Sequence, residues 1–421
     1  MTRASAGFER GPLVAALGWG VGAAIVAAFL ALSLNFRWSG VSDEPRTAPY
    51  AGDFAHEYVG GWIVREGDAS RIYDRDYFFE VTHDPAVIGF RWRTDAWLLP
   101  LYPPFYYLWC VPLSWFDYRT SAYLFTALTT AALVASTALI AGPGARARGA
   151  LGWWVAASLC YLPVLDSLVG GQKGTLFLLV FAITYRLLAK RRVFLAGAAF
   201  GLAAVKPQLM LVLLLVMLIQ REWRFFAGLA ATGAVLGAQS LIVGWKPLLD
   251  WVAEMLHPWA HTEMVPRSHN WLGFARLLLG EYSGPAVIGL WLALLAATGI
   301  VLWRVLGGRL DYEGRKFPIQ FAAIVLATPL VSPHLYTYDL SILVLPLILL
   351  ALAIPDVGSA ARPLWLAALG VVFLMGGASP SIAALIPLQL SSLASFAMLL
   401  VLLRCSPARS AVGTPQGVAA S

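Results

Sequence analysis

Long apolar blocks separated by short polar interruptions dominate this chain, and their lengths set the expected architecture. A hydrocarbon core about 30 Å thick is crossed by about 20 helical residues, each rising about 1.5 Å. A helix also satisfies its own backbone hydrogen bonds where water is absent. Apolar runs fall roughly at 12–34, 120–141, 151–163, 175–189, 193–205, 207–220, 225–244, 285–305, 317–331, 339–354, 362–376 and 383–404. The pattern predicts an all-α polytopic membrane protein with about 12 transmembrane helices in one domain, 1–404. The runs between 151 and 220 are short, so tilt, extension into polar flanks or termination inside a cavity is expected there. The first run follows Arg10 and has no small-residue cleavage pattern, so it reads as an anchor. The stretch 405–421 is small and polar and reads as a disordered cytoplasmic tail.

Composition agrees with a lipid-facing chain. Of 421 residues 59% are hydrophobic and 13% charged, against about 25% charged in a soluble domain. Cys110, Cys160 and Cys405 are scattered, without a CxxC pair, and read as packing residues rather than a disulfide framework or zinc site. Lys and Arg collect on the cytoplasmic side of membrane proteins. With the amino terminus inside, the inner segments hold 17 basic and 5 acidic residues, or +12, and the outer ones 13 and 18, or −5. The net charge of +7 is thus explained by membrane orientation, and no nucleic-acid partner is needed. This orientation leaves the stretches 35–102 and 245–284 outside.

Those outer stretches carry the polar and aromatic residues that a connector does not need. In DFAHEYVGGWIVREG, Phe54, Tyr58 and Trp62, with Ala55, Val59 and Ile63, fall on one side of a helix, and Asp53, His56, Glu57 and Gly60 on the other. Such a helix is expected to lie flat at the headgroup level, with Asp53 near the depth of a lipid phosphate. Asp53 there is either a helix cap or a catalytic carboxylate.

LYPPFYYLWCVP at 101–112 reads as a helix entering the interface, and its tyrosines as an aromatic belt. LVGGQKGTLFLL at 168–179 sets Gln172 and Lys173 in a glycine turn at an outer helix mouth. AAVKPQLML at 203–211 holds Lys206 between two apolar runs, where a lysine must snorkel or meet an anion such as a lipid phosphate. TPLVSPHLYTYDLSILV at 328–344 breaks two runs with Pro333, His334, Tyr336, Tyr338 and Asp339. His257, His261 and His269 suggest a metal, but Pro258 separates the first two and no HExxH occurs, so none is expected. No P-loop, GxGxxG or GxSxG is present, and the inner loops are too short to hold a nucleotide-sugar domain.

In order, GDFAHEY around Asp53, YPP at 102–104, GQ at 171–172, KP at 206–207, REWR at 221–224, SHNWLGFARLL at 268–278 and SPHLYTYD at 332–339 form a recognisable set. The set resembles glycosyltransferase family 87, membrane enzymes of the GT-C class that include polyprenol-phosphate-mannose-dependent mannosyltransferases. The resemblance implies a GT-C-type helical bundle with outer juxtamembrane helices, a polyprenyl-phosphate sugar donor, no metal or other cofactor, and an aspartate base in the first outer loop. Asp53 occupies that place, and His334 matches the family's late-loop histidine. Lys173 after the GQ, and His269 with Asn270, depart from the family pattern, which bears on the acceptor.

The implied reaction transfers a hexose, mannose by the resemblance, to a lipid or glycan acceptor at the outer face, with inversion. Asp53 would take the acceptor proton, and Lys206 and Lys173 would hold the leaving phosphate. His334, His56, Glu57, Tyr102, Gln172, Asn270 and Tyr338 are the expected substrate contacts. Abundant Ala and a preference for Arg over Lys suggest a GC-rich bacterial genome, and the expected location is the bacterial inner membrane, with the active site on the outer face. A flippase for lipid-linked sugars and a non-catalytic membrane scaffold share the helices and remain open; donor turnover and the effect of Asp53→Asn separate them from an enzyme.

Overall fold

Helix is the regular element throughout the described residues of the computed structural model, which are 16–25, 27–28, 50–91, 98–144, 149–256, 265–280 and 284–405. The amino-terminal half contributes α1 (Ala16–Ile25), α2 (Ala55–Arg65), α3 (Arg75–His83), α4 (Pro104–Cys110), α5 (Tyr118–Ala141), α6 (Leu151–Leu159), α7 (Leu162–Gly170), α8 (Gly174–Ala189) and α9 (Val193–Gly201). The rest holds α10 (Leu211–Ile219), α11 (Trp223–Val243), α12 (Trp245–Met255), α13 (Trp271–Leu279), α14 (Pro285–Leu306), α15 (Phe317–Val331), α16 (Val344–Leu352), α17 (Arg362–Ala383) and α18 (Leu390–Cys405).

Four of these, α5, α11, α14 and α17, are long and apolar enough to cross a membrane singly; α6 with α7, bent by 74°, makes a fifth if the pair is one span. The other expected runs form shorter apolar helices. Between α9 and α10 the break falls at Lys206, whose φ of −131° and ψ of 77° are those of a residue forced out of the helix by the proline after it. The expected first anchor is described only in part, and the expected tail lies almost wholly outside the described residues.

Burial sorts the helices by their neighbours. In α15 every residue from Ile319 to Leu330 is buried, as expected for a helix apolar on all sides that sits in the middle of a bundle. By contrast α11, α14 and α17 turn Val235, Ile242, Ile288, Ile300, Leu366 and Leu374 outward, where only lipid leaves no exposed apolar surface in water.

The helices run between two chemically different ends. At one, Tyr312 donates to Glu222 Oε1 at 3.0 Å and the Leu310 amide to Gln220 Oε1 at 3.0 Å, among Lys190, Arg191, Arg192, Arg221, Arg309 and Arg315. At the other, the two long polar stretches meet. Arg75 pairs with Glu254 at 2.7 Å, Lys246 donates to the Ser70 carbonyl at 3.1 Å, and Trp251 Nε1 to the Leu101 carbonyl at 3.3 Å.

Helix α2 is not the surface-lying helix its periodicity predicted. Phe54 stacks on Phe125 with centroids 4.8 Å apart, and Tyr58 meets Tyr118 edge-on at 5.3 Å, so the aromatic side is buried against α5. The opposite side is buried against α4, because Gly60 has no Cβ and Tyr107 fills that space. A helix between two protein layers and one between protein and lipid can carry the same apolar stripe; the glycine pair Gly60–Gly61 is the part that marks the former.

Candidate active site

Asp53 belongs to a single 3-10 turn, Gly52–Phe54, entered through Ala51 at φ 51° and ψ 41°. Three contacts hold that left-handed residue. The Ala51 amide donates to the Val169 carbonyl at 2.9 Å, Tyr118 donates to the Ala51 carbonyl at 2.6 Å, and Gly171, at φ +74°, lies where a Cβ would be 2.7 Å from Phe54 Cβ. The GGQK turn and the Asp53 turn are thereby locked together. Asp53 caps no helix: neither the 3-10 turn nor α2 has a side-chain cap. Its Oδ2 instead accepts Gln172 Nε2 at 2.8 Å, and the carboxylate is half-buried.

One turn further, Glu57 is wholly buried and its Oε1 accepts a hydrogen bond from Lys173 Nζ and another from Tyr106 at 3.4 Å. The Lys173 ammonium sits 3.9 Å from the Tyr102 ring centroid. Burial pushes the Tyr102 phenol above its ordinary range, with Lys173 opposing and Glu57 adding to the effect. A second buried pair lies alongside. Lys206 Nζ meets Asp339 Oδ1 at 2.6 Å and the Tyr338 ring centroid at 4.7 Å, and Asp339 Oδ2 accepts the Tyr336 amide at 3.2 Å. Lys206 also lies 6.0 Å from the ring of Phe177, one turn along the helix that Lys173 begins. Its field reaches Lys173 and Glu57, and Tyr338 feels Tyr102 and Asp53. Asp53, Glu57, Tyr102, Gln172, Lys173, Lys206 and Tyr338 are one neighbourhood.

Among the described residues, three side-chain atoms in this neighbourhood are buried with no hydrogen-bond partner: His56 Nδ1, Glu57 Oε2 and Gln172 Oε1. Such orphans are rare in native proteins and mark places where something else completes the bonding. His56 packs edge-on to Tyr102 at 6.1 Å, and burial lowers its pKa despite the opposing fields of Glu57 and Asp53, so it is neutral at pH 7.

His334 and Asn270 belong to an adjoining group. His334 packs edge-on to Tyr336 at 4.7 Å, and the His269 amide donates to the Leu335 carbonyl at 3.0 Å, tying the two segments together. Asn270 caps α13, its Oδ1 accepting the Gly273 amide at 2.6 Å, while its Nδ2 is buried without a partner. His269 bridges Ser391 Oγ at 2.6 Å and Thr337 Oγ1 at 2.9 Å. Its burial, with Arg267 nearby, pushes the imidazole pKa down to about 3. Unfolded, it would bind a proton near 6.5. Between these values only the unfolded state takes that proton, so stability falls as pH falls from 6.5 towards 3 and this group has no effect above 6.5. Melting at pH 5 should show a loss of about 2 kcal/mol against pH 7 from this residue, much reduced in His269→Gln. A melting profile as steep in the variant as in the parent would assign the effect elsewhere.

Asp339, read from the sequence only as part of the break at 328–344, and Tyr106, read as part of an aromatic belt, join the neighbourhood without having been expected as site residues. Asp339 could have been inferred from Lys206, which required an anion and has few acids at a comparable depth. No group of three or more His, Cys, Asp or Glu able to hold a metal occurs among the described residues; His257 and His261 lie outside them.

The arrangement is that of a multi-pass helical membrane protein with its carboxylate and lysine chemistry gathered at one end. The family model "Glycosyltransferase family 87" matches residues 101–333, and the chain belongs to that family of membrane glycosyltransferases. The matched span includes Tyr102, Gln172, Lys173, Lys206 and Asn270; Asp53 precedes it and His334 follows it by one residue. Among solved structures, the chain is similar to ArnT from Cupriavidus metallidurans in the apo state, at 17% identity and a TM-score of 0.38, over 92% of this chain and 76% of that one. Comparison with curated proteins gives no match.

Proposed function

We propose that the protein moves a hexose, with mannose the first choice from the family resemblance, from a polyprenyl-phosphate sugar to a lipid or glycan acceptor at the outer face of a bacterial inner membrane. The observation that carries this reading is the set of orphaned buried atoms on His56, Glu57 and Gln172 around a half-buried, uncapped Asp53. A hydroxylated ligand supplies the missing donors and acceptors. In the proposed step the Asp53 carboxylate takes the acceptor hydroxyl proton as that oxygen attacks the anomeric carbon. The bond from that carbon to the phosphate oxygen breaks on the opposite side, so the configuration inverts. An ammonium has three N–H donors; Lys173 and Lys206 each keep donors for the leaving phosphate beyond the bond to Glu57 or Asp339. They would stabilise its growing charge in the transition state. His334, Tyr338 and Asn270 are the proposed outer contacts, and no metal takes part.

Residues 1–404 form one membrane domain with about 12 crossings in this reading, the shorter apolar helices being counted with the long ones. Purified protein given radiolabelled polyprenyl-phosphate mannose and lipid extract from a strain lacking the gene should place label in one new glycoconjugate. Label that stays in the donor, or only changes leaflet, sinks the proposal in favour of a flippase or scaffold.

A further inference from the structure

The turn that carries Tyr338 and Asp339 is rigid within itself, since Asp339 Oδ2 accepts the Tyr336 amide at 3.2 Å and the Asp339 amide donates to the Tyr336 carbonyl at 3.0 Å. Those bonds do not place it against Lys206. One hold comes from the Lys173 turn: the Tyr338 carbonyl fills the space that a Cβ would take at Gly174, and Ser341 Oγ lies 2.7 Å from that carbonyl and 3.0 Å from the Pro163 carbonyl. His269 supplies another. Its Nε2 is 2.9 Å from Thr337 Oγ1, at the start of the 3-10 helix Thr337–Leu343, and its amide donates to the Leu335 carbonyl at 3.0 Å.

The imidazole is itself firmly anchored. Its Nδ1 is 2.6 Å from Ser391 Oγ, the Ser391 amide donates to Ser379 Oγ at 3.1 Å, and Ser379 donates to Gln389 Oε1. Gln389 Nε2 closes the network on the carbonyls of Pro266 at 3.1 Å and Ser268 at 3.0 Å, next to His269. Ser379, Gln389 and Ser391 lie at the junction of α17 and α18, which contributes no residue to the Asp53 neighbourhood. A bonded, buried polar network of this kind is stiff. Burial keeps the imidazole neutral, and with one donor and one acceptor nitrogen it serves both hydroxyls at once. We infer that His269 is a positioning residue: through Thr337 it fixes Tyr338 and Asp339 against the Lys206 ammonium, and so sets where that ammonium meets the leaving phosphate. Its effect on rate rests on the transferase reading; its effect on the Lys206–Asp339 pair does not.

Two amide replacements separate the bonds of the ring. The Gln amide reaches the place of Nε2 and the Asn amide that of Nδ1, so His269→Gln keeps the bond to Thr337 and His269→Asn keeps the bond to Ser391. In nanodiscs, with polyprenyl-phosphate mannose as donor, His269→Asn lowers kcat about tenfold or more while donor KM stays within about threefold. Thr337→Val, which removes the same bond from its other end, does likewise. His269→Gln stays within about threefold of the parent kcat although it melts no higher than His269→Asn. A second measurement needs no substrate. His269→Asn lowers the melting temperature less in the Lys206→Met, Asp339→Asn background than in the parent, because the ion pair it loosens is already gone, whereas His269→Gln lowers it equally in both. Equal effects of the Asn and Gln variants on kcat, or equal melting shifts of His269→Asn in the two backgrounds, overturn the inference. A parent that never consumes donor ends the transferase reading instead, and the melting comparison then decides the role of His269.

Discussion

Asp53→Asn lowers kcat for sugar transfer by about a thousandfold, within the range of about 10² to 10⁴ for a lost general base, and leaves the fold intact. The fold survives because Asp53 caps no helix, and its turn is held by the Ala51, Tyr118 and Gly171 contacts rather than by its own side chain. An asparagine carbonyl still accepts from Gln172 Nε2, the one hydrogen bond described for the carboxylate. What the variant lacks is basicity. KM for the donor should change little, since the lysines assigned to the phosphate are untouched; kcat, KM and melting temperature measured together separate a missing base from a distorted site. Transfer within about tenfold of the parent rate would remove Asp53 from the mechanism.

The largest loss of stability is expected from Lys206→Met. Asp339 is left nearly solvent-free, its side chain 2% exposed, with only the Tyr336 amide for company. Stranding one member of a buried pair costs about 3–5 kcal/mol. Lys206→Met with Asp339→Asn removes both charges while keeping the bond to the Tyr336 amide, and should regain most of that stability. Sugar transfer should not return with it, because the phosphate still lacks its ammonium. Detergent melting curves read the first part and donor turnover the second. A double variant that is both stable and active would make the pair purely structural.

Much of this molecule was readable along the chain. The break at Lys206 follows from the proline beside it, Gln172 and Lys173 stand at a helix mouth because of the glycines around them, and the asymmetry of Lys and Arg anticipates the two ends of the bundle. Pairings across long separations were not readable. Lys206 plainly required an anion, but its partner is 133 residues away, and a lipid phosphate satisfied the sequence equally well. Lys173 similarly meets Glu57 across 116 residues. The burial of α2 was missed for another reason: the periodicity of Phe54, Tyr58 and Trp62 specifies an apolar side without saying whether lipid or protein covers it. Length alone leaves the count of about 12 undecided: among the described residues four single helices, or five spans with the bent pair, are long enough to cross, and the other apolar helices are shorter.

The location of the Asp53 end of the bundle can be read without any substrate. Ser70→Cys places a thiol on an exposed position beside the Lys246 contact, and Glu313→Cys places one among the basic turns at the opposite end. Both are made with Cys160 and Cys405 replaced, leaving Cys110 buried. Treatment of intact cells with a membrane-impermeant maleimide should label the Ser70→Cys protein at once and the Glu313→Cys protein only after permeabilisation. The reverse pattern would put Asp53 on the cytoplasmic side and contradict transfer at the outer face.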